Sequence, residues 1–220
     1  MGKKEAPISR LQDFLPPNTY EPVLHYLHEF KVHLTVARER KSILGDYRHR
    51  THMHNHRISV NGNLNQYSFL ITLLHELAHL LTFEKFGNRV QSHGREWKSI
   101  FGQLLDQFIK HDVFPDDIKQ ALIRSLHNPS ASSCADDVLL RVLKSYDQKN
   151  GKEVIFVENL PEGALFITYD GKIFRKGAKM RKRFKCEEVA TKKLYLFSPL
   201  YEVVAEYDPG HATDHTPGPP

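Results

Sequence analysis

The stretch from Leu64 to Phe86 constrains this chain more than any other, because it is apolar on nearly every face of a helix and yet holds His75, Glu76 and His79 in its middle. A helix that is apolar all round belongs in a protein interior. Unsatisfied polar groups buried there cost about 1–3 kcal/mol each, so the three side chains need partners. The most apolar part, the 15 residues from Phe69 to Phe83, is interrupted by those groups and is too short and too polar to span a bilayer. Gly87 stands where a C-cap is expected.

His75-Glu76-Leu77-Ala78-His79, an HExxH sequence, sets two imidazoles at i and i+4 on one helix face, with Cβ atoms ~5–6 Å apart. Both can approach one Zn2+ at ~2.0–2.1 Å, while Glu76 points beside the ion, where it can hold a water. A third ligand has to come from elsewhere. His93 is the choice, at the start of a helix able to fold back antiparallel to the first, with Ser92 as the expected cap and a buried face from Trp97 to Phe108. Glu84 sits too far along the first helix to reach back. Glu96, one turn after His93, is a competitor, since zinc peptidases with a glutamate ligand exist. One Zn2+ on three neutral imidazoles keeps its full charge and brings the pKa of bound water to about 7. Glu76 is then the general base, and the expected activity is that of a zinc metallopeptidase, a hydrolase with no covalent intermediate.

Around this helix the pattern is α+β. Asn18 to Phe30 has helical spacing, whereas Val32 to Glu39 alternates as a strand and Tyr47 to Val60 reads as further extended structure, predicting a small antiparallel sheet. Two shorter helices, Asp116 to His127 and Ala135 to Tyr146, look like a connector. After Gly151 the composition shifts to Val, Ile, Phe and Tyr bounded by Gly and Pro, which predicts a separate β-rich module. Residues 1–112 are thus expected to form the catalytic domain, 113–150 a helical connector, 151–207 a basic β-rich module and 208–220 a disordered tail.

The formal charge of +5 is unevenly spread, for between Gly171 and Lys193 ten Lys or Arg face only Glu187 and Glu188. Within that segment Arg175, Lys176, Lys179, Arg181, Lys182 and Arg183 alternate with Phe174 and Phe184, a mixture able to pair with phosphates and stack on bases. DNA is the candidate partner beside a protein substrate; a solvated hairpin is the competing reading. His52, His54 and His56 alternate and so share one strand face, which could hold a second metal, although exposure explains them as well. His211 and His215 lie in the Pro/Gly tail and are not read as a site. Cys134 and Cys186 form neither a disulfide framework nor a thiolate knuckle, and the N-terminus has no signal-peptide or myristoylation pattern. The expectation is a cytoplasmic protein without membrane attachment; no oligomeric state is specified.

Three segments together resemble the SprT-like family of zinc peptidases, which includes Spartan. They are Ile43 to Tyr47 with Ile58 to Asn61 before the long helix, His75 to His79 within it, and His93-Gly94-Arg95-Glu96-Trp97 after it. The resemblance extends from about Tyr20 to Lys110. It implies a zincin-like domain, one zinc on His75, His79 and His93, Glu76 as catalyst, and, in the Spartan branch, substrates that are proteins crosslinked to DNA. The metzincin pattern fails, because Thr82 and Lys85 stand where it needs Gly and His. Many SprT-like proteins also carry a C-terminal zinc ribbon with four cysteines, where this chain has only Cys186; Phe184, Leu194, Tyr195, Leu196 and Phe197 are expected to hold the strands there without a metal. From a different class comes the alternative of a non-catalytic nucleic-acid- or protein-binding module with structural zinc, for which Glu76 has no use.

Overall fold

A computed structural model describes residues 8–40, 43–126, 136–147 and 155–207, with the side chains of 205–207 left aside. The chain divides into two compact units, Met1–Gln148 and Lys149–Pro220, both mixing helix or turn with strand in an α+β arrangement. No described helix is long and apolar enough to cross a membrane.

The first unit is organised on α2 (Gln66–Phe86). Asn65 starts it by accepting hydrogen bonds from the backbone N–H groups of Tyr67 and Ser68, and Gly87 ends it at φ 62°, a conformation that costs glycine little. Phe69, Leu70, Leu73, Leu74, Leu77, Ala78 and Leu80 are all fully buried, and each larger side chain contributes about 1.5–3 kcal/mol by leaving water. Helix α1 (Tyr20–Glu29) adds Val23 and Leu27, four residues apart on one face. Helix α3 (Arg95–Lys110) adds Trp97, Phe101, Leu104, Leu105 and Phe108 at 3–4 spacing. Gly94, not Ser92, occupies the N-cap of α3, and it makes no side-chain cap bond.

Helices α4 (Asp116–Ser125) and α5 (Asp137–Ser145) send Ile118, Ala121, Leu122, Leu139 and Leu143 into this same core. They therefore belong to the first unit and do not stand apart as a connector. Their amphipathic faces are too apolar to be left in water, and the side chain of Asn65 ties the start of α2 to the end of α5 by donating to Leu143 O at 2.9 Å. Residues 127–135, which include the expected ends of both helices, lie outside the described residues.

The sheet of this unit has three strands, β1 (His33–Ala37), β2 (Gly45–Arg48) and β3 (Arg57–Asn61), in the order β1-β3-β2. It is mixed, not antiparallel throughout: β2 runs antiparallel to β3, with Tyr47 opposite Ile58, but β1 pairs parallel with β3, with Leu34 opposite Ile58. After β1 the chain crosses to the far edge to form β2, and the hairpin back into the middle makes β3 run the same way as β1. Alternation in a sequence marks a strand but not the direction of its neighbour. Residues 49–56 form the loop of that hairpin, not a continuing strand.

The second unit holds an antiparallel sheet in the order β10-β5-β6-β7-β8, made of β5 (Leu165–Ile167), β6 (Ile173–Met180), β7 (Arg183–Glu188), β8 (Leu194–Phe197) and β10 (Ala205–Tyr207). A short pair, β4 (Ile155–Phe156) and β9 (Glu202–Val203), accompanies it. Its core is Val157, Leu160, Phe166, Phe174, Cys186, Phe197 and Val203. Leu194 and Leu196, expected inside, lie on the outer face of edge strand β8 at 58% and 57% exposure, because Phe197 fixes the inner face and the period of a strand is two. Residues 208–220, with His211 and His215, lie outside the described residues.

Candidate metal centre

Helix geometry brings His75 and His79 together, one turn apart on α2, with their Nε2 atoms 3.1 Å apart. His93, in the turn before α3, is carried back onto them because α3 packs against α2 through Trp97, whose fully buried ring lies 4.7 Å from the rings of His75 and His93 and 5.3 Å from that of His79. The Nε2 of His93 is 3.3 Å from that of His75. All three ligand atoms lie within 4.8 Å of one another, and among the described residues this is the cluster of His, Cys, Asp or Glu able to hold a metal ion. An ion with tetrahedral nitrogen ligands at ~2.0–2.1 Å separates them by about 3.3 Å, so the donor set fits such an ion. Glu96, the competing ligand, stays outside the cluster.

The electrostatics also suit a cation. Burial lowers the pKa of His75 to about 3, with His79 and His93 adding to the effect, and lowers that of His79 to about 4 with help from His93. His93 shifts in the same direction, by burial and the nearby Lys98. The imidazoles are therefore held neutral, the form in which nitrogen donates to a metal.

Glu76, next to His75 in α2 and 6% exposed, has its pKa raised by burial to about 8, Asp46 adding to the rise and Arg40 opposing it. The carboxylate lies against β2. A Cβ on Gly45 would come within 2.5 Å of Glu76 Oε1 and 2.9 Å of Thr72 Cγ2, so the strand can approach this closely only at a glycine. Arg40 and Asn61 hold the chain entering β2 in place. Arg40 Nε donates to Asn61 Oδ1 at 2.8 Å and its Nη1 to Ser59 Oγ at 3.0 Å, while Asn61 Nδ2 donates to the carbonyls of Arg40 and Ile43.

Other residues singled out in the sequence fall elsewhere. Glu84 lies 3.1 Å from Arg50 Nη2 and 3.2 Å from His56 Nε2. His52 and His54 are exposed in the 49–56 loop while His56 is buried at 2%, so the three do not share a face and form no second metal cluster among the described residues. In the basic segment Arg175, Lys179, Arg181, Lys182 and Arg183 are exposed. Lys176 is not part of that surface: it is 5% exposed, its Nζ donates to the carbonyls of Glu158 and Leu160, and it lies 4.3 Å over the Phe184 ring. A strand residue on the inner face meets the core whatever its charge, and the run of cations hid that alternation. Arg40 carried no signal in the sequence, and Gly45, Tyr47 and Asn61 stood there only within the segments that resemble the family, with no role of their own; the fold brings Gly45 and Tyr47 against α2.

Residues 18–119 match the SprT-like family. This segment belongs to that family. The SprT-like match spans every element that carries the metal cluster, from α1 into α4. Curated relatives include Protein SprT of Pseudomonas putida, 43% identical over 53 residues, covering 22% of this chain and 32% of the relative. Protein SprT of Pseudomonas fluorescens is 38% identical over 53 residues with the same coverage. The chain thus spans about a third of the length of these relatives. No solved structure matches it.

Proposed function

We propose that this chain is a zinc-dependent peptidase in which His75, His79 and His93 hold one Zn2+ and Glu76 is the general base. The observation that carries the reading is the convergence of three neutral Nε2 atoms, 3.1 and 3.3 Å apart, beside a buried carboxylate. When bound, zinc supplies Lewis acidity toward a carbonyl oxygen and lowers the pKa of water to about 7. Glu76 takes a proton from the attacking water and returns it to the leaving amine; burial raises its pKa, and the positive charge of a bound metal would favour the ionised carboxylate that this role needs. Gly45 and the Arg40–Asn61 clamp hold strand β2 against that carboxylate, which limits its freedom to swing away. A purely structural metal site would have no use for a buried carboxylate at this position.

Zinc content and cleavage of an unfolded protein by wild type, Glu76→Gln and His93→Ala test the proposal. Wild type binds zinc and cleaves, Glu76→Gln keeps the zinc and loses about 10²–10⁴-fold in rate, and His93→Ala loses the zinc. A folded, zinc-loaded wild type with no more cleavage than Glu76→Gln overturns it.

The substrate class we propose is protein bound to nucleic acid, supported by the exposed Arg175, Lys179, Arg181, Lys182 and Arg183 on β6, β7 and their connecting turn. Affinity for single-stranded DNA should fall steeply with salt, with a slope near −0.7 per phosphate neutralised. If replacing Arg181, Lys182 and Arg183 with Gln leaves that affinity and slope unchanged, the DNA part of the proposal fails.

A further inference from the structure

Next to the histidine cluster runs a row of rings and charges that the proposed reaction does not use. The ring of Tyr47, on β2, lies parallel to that of His79, 4° apart in plane with centroids 6.4 Å apart, an offset stack within the range where aromatic rings attract. On Tyr47 in turn stacks His56, at 5.8 Å and 16°. Tyr47 Oη is 2.9 Å from His56 Nδ1. His56 is 2% exposed, and burial, partly opposed by Glu84, holds its pKa below the ordinary imidazole value, so the neutral ring meets the Tyr47 hydroxyl through Nδ1 in a hydrogen bond whose direction follows the tautomer. The other nitrogen, Nε2, lies 3.2 Å from Glu84 Oε1, within ion-pair range though not aligned as a hydrogen bond. Glu84 Oε2 reaches Arg50 Nη2 at 3.1 Å. Phe83, one turn after His79 on α2, closes the row edge-on to His56 at 6.1 Å.

We propose that Tyr47 is a positioning residue for the metal centre: its ring fixes the imidazole plane of His79, and buried His56, backed in series by the partly exposed Glu84 and the exposed Arg50, fixes Tyr47. This rests on the metal reading above. The physical case is that an imidazole two bonds out from a helix can turn about its own axis, and each degree of that freedom is lost when a ligand binds. Besides the rings of His75 and His93, the other two ligands, the rings against that of His79 are Trp97 on α3 and Tyr47 on β2, and the second of these lies nearly parallel to it. A tyrosine held only by its ring would itself be free to slide. The hydroxyl bond to a fully buried histidine removes that freedom, and burying a histidine and a glutamate side by side is costly unless each is partnered. Residues around a ligand commonly change metal affinity 10- to 100-fold when they orient it.

The test is zinc affinity by chelator competition, together with the visible absorption bands of the Co2+-substituted protein, which report ligand geometry and not fold alone. Tyr47→Leu should weaken zinc about 10–100-fold and shift the Co2+ bands, and Tyr47→Phe, which keeps the ring but loses the hydroxyl anchor, should fall between Tyr47→Leu and wild type in both. Folded Tyr47→Leu with wild-type affinity and bands overturns the proposal, as does Tyr47→Phe behaving no better than Tyr47→Leu. Should Tyr47→Leu fail to fold, Glu84→Gln at the partly exposed end of the series is read in its place: weaker zinc supports the proposal and unchanged zinc overturns it. Wild type that binds no zinc removes the metal reading and this one together. Zinc lost in His93→Ala but unaltered across the Tyr47 and Glu84 variants leaves the metal reading standing and removes only the positioning role.

Discussion

Replacing Gly45 with alanine should damage the centre without touching a metal ligand. The added Cβ would lie 2.5 Å from Glu76 Oε1, 2.9 Å from Glu76 Cγ and 2.9 Å from Thr72 Cγ2. Carbon atoms in contact prefer about 3.5–4.0 Å, so the neighbours must withdraw by about 1 Å. Gly45 is not in the left-handed region, and alanine there would ordinarily stabilise by about 0.4–1 kcal/mol through the unfolded chain. Overpacking of a filled interior costs about 1–3 kcal/mol, which exceeds that gain in most of its range. The expected net effect is a loss of about 1–2 kcal/mol. The side chain best able to move is Glu76, and a misplacement of about 1 Å in a reacting group can cost 10²-fold in rate. Urea denaturation, metal analysis and a peptide-cleavage assay on the same preparation give the three readouts. A Gly45→Ala protein as stable as wild type and fully active would refute the reasoning; loss of metal would show that the disturbance had spread to the histidines.

Three further outcomes are expected. Asn65→Ala removes both the cap of α2 and its bond to Leu143 O, so the melting temperature of the first unit should drop, by about 2–8 °C for a loss of 1–2 kcal/mol. Lys176→Met takes away the donor shared by the carbonyls of Glu158 and Leu160, at a cost of about 1–3 kcal/mol, and faster hydrogen exchange in β6 would show it. In the second unit, the hydroxyl of Thr191 foremost, with Lys172 and Tyr195, holds the Glu188 carboxyl below its usual pKa of 4.5 against the effect of burial. The folded pKa is thus lower than the unfolded one, so this stabilisation is present above about pH 4.5 and is lost as pH falls through the folded value. Unfolding of Glu188→Gln followed against pH should lack that part of the acid dependence.

Legibility differed by the range over which each feature is specified. The long helix, its glycine end and the pairing of His75 with His79 are properties of one segment, since residues four apart on a helix are neighbours whatever the rest of the chain does. His93 lies 18 residues from His75 and was accessible because a turn followed by a second amphipathic helix leaves an antiparallel return as the compact option. The errors came where a segment's meaning depends on its neighbour. The alternation of His52, His54 and His56 looked like a strand face, but the sheet stops at Arg48 and resumes at Arg57, and only His56 turns inward. Lys176 looked like one of a row of surface cations, yet it faces the interior of the second unit, where backbone carbonyls supply its partners.

Local periodicity and residue chemistry by themselves determined that this chain builds a buried helix presenting two imidazoles and a carboxylate, because helix geometry and the cost of burying polar groups act within a few turns. Tertiary structure alone decided which strand runs beside that helix, that its approach requires a glycine at 45, and that Tyr47 stands over His79. Those contacts join residues some 30 positions apart, and the packing of β2 on α2 that creates them is a property of the assembled core, which no single segment encodes.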